Sequence, residues 1–114
     1  VQPITFETER LRVALMQVTP NEFFHEKDVF IAFSKEDGVP YPVCVCTIDP
    51  AAGCCPYHWV EWLETNQQHR RQGLARELLA GIVEHYEAVC DDFDLQMTGA
   101  TAEGDAFTEA WYAQ

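Results

Sequence analysis

Apolar and polar residues alternate with a period of two from Ile4 to Val18, with Ile4, Phe6 and Thr8 on one side. Leu11, Val13 and Leu15 continue the alternation after a switch of face. Successive side chains leave a strand on opposite sides, so the segment reads as a first strand. Thr19-Pro20-Asn21 stops it, and "NEFFHEK" fits a short helical turn capped by Asn21. Asp28–Ser34 ("DVFIAFS") is rich in aromatic and β-branched residues and predicts a second strand. Asp37-Gly38 is a turn signal, and Tyr41–Ile48 ("YPVCVCTI") returns as a third strand, with Pro42 near its start. Asp49–Pro56 reads as a loop from its Pro and Gly content.

Tyr57–Thr65 ("YHWVEWLET") predicts the next strand. Simple alternation puts Trp59, Glu61, Leu63 and Thr65 on one face and His58, Val60, Trp62 and Glu64 on the other. The period then changes. Leu74, Leu78, Ile82 and Tyr86, joined by Ala75, Leu79, Val83 and Cys90, recur every three to four positions. That is the apolar stripe of a helix of about four turns. Asp92–Gly99 reads as a last strand, and Gly104–Gln114 as a helix with Asp105 as its N-cap.

The predicted order is β, short α, β, β, β, long α, β, α. Strand, helix and strand at 57–99 imply a parallel pair joined by a crossover, while the earlier hairpin implies antiparallel neighbours. The expected class is α/β (α+β), with a mixed, mainly antiparallel sheet around a central parallel strand–helix–strand unit. At 114 residues the chain is long enough for one core, so a single domain over 1–114 is expected.

Charge narrows the choice of partners. The net charge is −12, which repels nucleic acid and suits cationic partners, amines included. No apolar run approaches a membrane span, and the N-terminal residues lack a signal-peptide pattern. Cys44, Cys46, Cys54, Cys55 and Cys90 are odd in number, follow no disulfide framework and include no C-x-x-C pair. A zinc site from Cys44, Cys46, Cys54 and Cys55, with His58, has poor spacing. Reduced cysteines packed as small hydrophobes in a cytoplasmic protein are expected, with no metal.

Against this acidic background, "NQQHRRQGLARELL" (Asn66–Leu79) stands out. It holds Arg70, Arg71 and Arg76, with Gly73 where the long helix should begin. The free N–H groups of a helix's first turn form an anion site, aided by the helix dipole. Glycine lets the backbone approach a phosphate closely. The ligand implied is a phosphate or pyrophosphate. Neither G-x-x-x-x-G-K-[ST] nor G-x-G-x-x-G is present, so neither a P-loop nor a dinucleotide fingerprint is indicated. A solvated arginine face on an ordinary helix entry would give the same pattern.

"HWVEWLETNQQHRRQGLARELLAGIVEHY" resembles the acyl-CoA-binding core of the GNAT superfamily, the acetyl-CoA-dependent N-acetyltransferases. The family signature R/Q-x-x-G-x-G/A is matched by Arg70-Arg71-Gln72-Gly73-Leu74-Ala75, placed between a strand and a long helix. "FETERLRVALM" is similar to the family's opening strand, and the hairpin, "DFDLQMTG" and "GDAFTEAWYAQ" fall where its later elements do. The resemblance implies a GNAT-like fold that lacks the family's last two strands. It implies that backbone groups of Arg70, Arg71, Gln72, Gly73, Leu74 and Ala75 bind the pyrophosphate of acetyl-CoA. It further implies that Leu63, Glu64 and Thr65 pair with the pantetheine arm, and that the strand at 93–98 splays away there. Tyr112 falls where the family often has a tyrosine near the sulfur, a position for a general acid.

Attack on a thioester also needs a deprotonated amine. Glu61 is the candidate base, with Glu64 and His58 as further candidates. Each has a plainer role open to it, as a solvated, paired or strand-end residue. Trp59 and Trp62 are expected in the core or a pocket wall. Two functions follow: direct acetyl transfer to a primary amine of a small molecule or peptide, or a non-catalytic CoA-binding module. A homodimer covering an open sheet edge is a further expectation.

Overall fold

The computed structural model describes residues 4–19, 26–50, 57–89 and 94–97. Six strands form one sheet in chain order: β1 (Phe6–Glu7), β2 (Leu11–Val18), β3 (Lys27–Ser34), β4 (Pro42–Asp49), β5 (Tyr57–Thr65) and β6 (Asp94–Met97). Neighbours from β1 to β5 are antiparallel, and β5 pairs with β6 in parallel. One helix, α1 (Leu74–Glu87), lies between β5 and β6 in the chain. The chain is thus an α+β fold with a mixed, mostly antiparallel sheet. The segments around Asn21 and at 104–114, expected to be helical, lie outside the described residues, as do Cys54, Cys55 and Cys90.

The single first strand expected over Ile4–Val18 is in fact a hairpin. Thr8, Glu9 and Arg10 turn the chain, and Phe6 then pairs with Val13. The Leu11 N–H donates to the Thr8 hydroxyl (3.1 Å), and the Thr8 N–H donates to the Leu11 carbonyl (2.9 Å). The switch of face in the pattern marks this turn, where a side-chain hydroxyl stands in for a ladder partner.

β5 departs from simple alternation in a second way. Val60 faces Ile48 and Trp62 faces Thr47, so Glu61 is an extra residue in a bulge. Two residues then oppose one, and the phase of the pattern shifts. Leu63 pairs with buried Cys46 and Thr65 with buried Cys44, which puts them on the same face as His58 and Val60. Trp59, Glu61, Trp62 and Glu64 share the opposite face. The tryptophans, expected in the core or a pocket wall, lie outside the core, 45% and 59% exposed.

α1 covers one face. Leu74, Leu78, Leu79, Ile82 and Tyr86 are buried against Leu11, Val13, Phe30, Ala32, Cys46 and Ile48. Gly81 faces β1: a Cβ there would come within 2.6 Å of the Phe6 ring. Cys44 and Cys46 are buried free thiols, and burial raises both above the ordinary thiol value, Cys46 strongly. They pack as small apolar residues. Among the described residues, two polar side chains share this interior. Asp28 and His58 are 4% and 7% exposed. The Tyr86 hydroxyl donates to Asp28 Oδ2, and its ring lies 4.6 Å from His58.

Asp28 Oδ1 has no hydrogen-bond partner among the described residues, so the Tyr86 hydroxyl is central to keeping this carboxylate in the core. Tyr86→Phe should therefore destabilise the fold by about 1.5–3 kcal/mol, the range for hydrogen bonds to charged groups. Urea denaturation checks this, and an unchanged midpoint would show that the bond contributes nothing. Cys44 and Cys46 should resist a thiol reagent in the native protein and react after unfolding, as mapped by mass spectrometry.

Candidate functional site at the β5–α1 junction

β5 ends at Thr65, and the chain reaches α1 through a single 3-10 turn (Gln67–His69). Asn66 caps that turn, its side chain accepting from the Gln68 N–H at 3.0 Å. The Tyr41 hydroxyl donates to Gln68 Oε1 (3.2 Å) and can accept from His69 Nε2 (2.9 Å). A shallow cavity of about 380 Å3, lined by Tyr41, Asn66, Gln67 and Gln68, lies beside this turn.

The chain then bends sharply into the helix. Arg71 has φ of 65° and Gly73 has φ of 77°, both left-handed. A left-handed conformation is disfavoured for residues with a Cβ and open to glycine. Gly73 is the N-cap of α1 and offers no side-chain cap, though its carbonyl accepts from the Glu77 N–H (3.0 Å). The N–H groups of Leu74, Ala75 and Arg76 begin the helix with no carbonyl a turn earlier to bond. A Cβ on Gly73 would meet only Arg10, at 3.6 Å, an ordinary contact. Backbone conformation, rather than crowding, explains the glycine.

Arg70 donates from Nε to the Thr65 carbonyl (3.2 Å) and so braces the bend. Arg71 and Arg76 are exposed and form no ion pair with a described residue. Gln72 contributes its carbonyl, which accepts from a guanidinium nitrogen of Arg10 at 2.7 Å. Leu74 is buried and anchors the first turn, with Ala75 half-buried beside it.

Arg10 and Glu77 carry no mark in the local pattern, being 67 residues apart in the chain. Glu77 Oε1 accepts from Arg10 Nε at 2.7 Å. Its Oε2 accepts from the Arg10 N–H (2.9 Å) and from the Thr8 hydroxyl. The β1–β2 turn is thereby fixed to the first turn of α1. Only tertiary structure reveals this; the sequence signal is an acidic residue near a helix start.

Comparisons with protein-family models, with curated proteins and with solved structures find no match to this chain. The site's meaning therefore rests on its geometry.

Upstream, Leu63, Glu64 and Thr65 pair with β4 through Cys46, Val45 and Cys44. The β5–β6 ladder runs from Tyr57–Asp94 to Val60–Met97, so β5 has no β6 partner from Glu61 onward among the described residues. The Glu61 carboxylate accepts from Lys27 Nζ. Glu64 Oε2 accepts from the Trp62 indole at 3.2 Å. The candidate carboxylates, placed on opposite faces by simple alternation, therefore share one face. Tyr112 lies outside the described residues. Among the described residues no group of three or more His, Cys, Asp or Glu side chains is placed to hold a metal, and no helix is long and apolar enough to cross a membrane.

Burial raises the Glu77 carboxyl, but hydrogen bonds from Thr8 and Arg10, with the charge of Arg10, outweigh it and hold the group below its ordinary value of 4.5. A lowered folded value stabilises the fold above the unfolded value, and the contribution is lost as pH falls through the folded one. Glu77→Gln should cost about 1–2 kcal/mol at pH 7, water screening the exposed Arg10 partner. The gap between variant and wild type should narrow as pH drops below 4.5. Urea midpoints measured across pH test this, and a gap independent of pH would exclude the charge as its source.

Proposed function

We propose that this chain is a GNAT-like acyl-CoA-binding domain that transfers an acetyl group from acetyl-CoA to a primary amine. The observation that carries the reading is the uncapped N-terminus of α1. Gly73 is left-handed, the next N–H groups are free of helical partners, and Arg71 and Arg76 stand beside them. A pyrophosphate there would meet backbone donors, the helix dipole and two guanidinium groups together. The backbone of Arg70–Ala75 is the expected cradle.

The parallel β5–α1–β6 unit supports the same reading. The bulge at Glu61 lies where the β6 ladder stops, and a bulge bends its strand. The β5 edge at Leu63, Glu64 and Thr65 would then receive the pantetheine arm as a partial strand. In the reaction the amine nitrogen attacks the thioester carbonyl, the C–S bond breaks, and the thiolate takes a proton. Glu61 would accept the amine's proton, and Tyr112 would protonate the sulfur. A second copy covering the short edge strand β6 would account for a homodimer.

A second reading, a CoA-binding module without catalysis, is favoured by one contact. Glu61 is already engaged by Lys27, whose ammonium occupies the carboxylate that an incoming amine would have to reach.

Calorimetry with acetyl-CoA tests the shared premise. Wild type should bind at micromolar concentration, and Gly73→Asp should lose at least about tenfold, since aspartate caps helices and places an anion where the phosphate belongs. Absence of binding by folded wild type would remove both readings. Given binding, thiol release with a panel of primary amines separates transferase from module.

A further inference from the structure

The sheet face turned away from α1 runs across β2, β3, β4 and β5. Cross-strand register sets its rows. Met16, Val29, Thr47 and Trp62 form one, and Ala14, Ile31, Val45 and Glu64 the next. Met16, Trp59 and Trp62 are 39%, 45% and 59% exposed. Two indoles and a thioether standing in water, on a sheet already packed on its other side, mark a contact surface. Strands ~4.8 Å apart, each of about eight residues rising ~3.3 Å, give this face roughly 500 Å2 in projection. Accessible area exceeds projected area, so the face approaches the about 800 Å2 per partner that a stable interface buries.

The charges on this face are ordered. Among the described residues its cations, Arg12 and Lys27, stand on β2 and β3, and its carboxylates, Asp49, Glu61 and Glu64, stand on β4 and β5. One half of the face is therefore the electrostatic complement of the other. Such a surface fits a copy of itself, because a two-fold axis lays each half on the opposite half. The net charge of −12 opposes any self-association that lacks this guidance.

We propose that this face docks a second copy of the chain, sheet on sheet. The two-fold axis runs along the strands, between β3 and β4. β2 of one copy then lies over β5 of the other, and Met16 packs on Trp62. Arg12, which holds Glu7 at 3.4 Å on the surface, reaches Glu64 of the second copy at the rim. Sheets packed this way lie about 10 Å apart with their strands nearly aligned. Lys27 keeps its pairing with Glu61 inside each copy. Access to Glu61 is then confined to the β5 rim, beyond the last β6 pair. The contact is separate from the β6 edge, and it does not rest on the acyl-CoA reading.

The test is sedimentation equilibrium of the full chain from low to high micromolar concentration. Wild type should become a dimer, with tryptophan emission moving to the blue as it forms. Trp62→Glu should leave a folded monomer, its fold checked by circular dichroism and urea denaturation. Arg12→Glu or Glu64→Arg alone sets like charges opposite each other twice per dimer, and each should weaken the dimer by about tenfold. The two exchanges combined should restore it to near wild-type strength. Wild type that stays monomeric at every concentration would overturn the proposal, whether another part of the chain or a different protein covers the face. A dimer that survives in folded Trp62→Glu forms elsewhere, at β6 for example, and would overturn it too. So would a folded double variant no tighter than the single ones. Acetyl-CoA calorimetry on folded Trp62→Glu reads the other site, so the two can fail separately.

Discussion

The Glu77 carboxylate holds together parts of the chain that local forces would leave apart. It receives the Thr8 hydroxyl, the Arg10 N–H and the Arg10 guanidinium, while the same guanidinium holds the Gln72 carbonyl. Without it, the first hairpin would be a two-residue strand at the sheet edge, and the loop before α1 would lack its outer support. Hydrogen bonds involving charged partners are stronger than neutral ones and fix direction as well as distance. The loop with two left-handed residues is therefore braced from one side by Arg10 and from the other by Arg70 on Thr65. A bend that leaves helical N–H groups facing outward can be kept in one shape because of these two arginines.

The two faces of the sheet have different characters. α1 seals one with a continuous apolar core, into which Asp28, Tyr86 and His58 are admitted as a polar group. The other keeps two tryptophans exposed among carboxylates. The bulge at Glu61 connects these facts. It lets Leu63 and Thr65 face the core while Trp62 and Glu64 face away, and it coincides with the end of the β6 ladder. One inserted residue thus decides both what the core contains and which chemistry the open face presents.

Elements whose cause is local were legible in the sequence. The α1 stripe, the β5 limits and the strand–helix–strand order follow from periodicity, and Gly73 was found at the helix entry. Effects with a non-local cause were not legible. The β1–β2 turn looked like a change of face because a hydroxyl replaces a ladder bond there. The bulge inverted the assignment of faces in β5 beyond Glu61, because alternation assumes one residue for one. Arg10 and Lys27 act across long separations with nothing in their neighbours to mark them, and Glu77 carries only the general sign of an acidic residue in a first helical turn. The arginines nearest the proposed phosphate site were legible as a cluster, but the brace that shapes their loop was not.

Strand order that follows chain order has a bearing on how the molecule assembles. From β1 to β5 each strand pairs with its immediate successor, so most of the sheet can zip together over short loops. Contacts of short sequence separation form quickly, because little chain entropy is lost in closing them. Two links break that rule: the parallel β5–β6 pair, which must wait for α1, and the clamp from Glu77 back to the first turn. The meander is expected to gather first and the clamp to lock last. Weakening that clamp would then speed unfolding while leaving the folding limb of a chevron nearly unchanged, the behaviour of a latch rather than a nucleus.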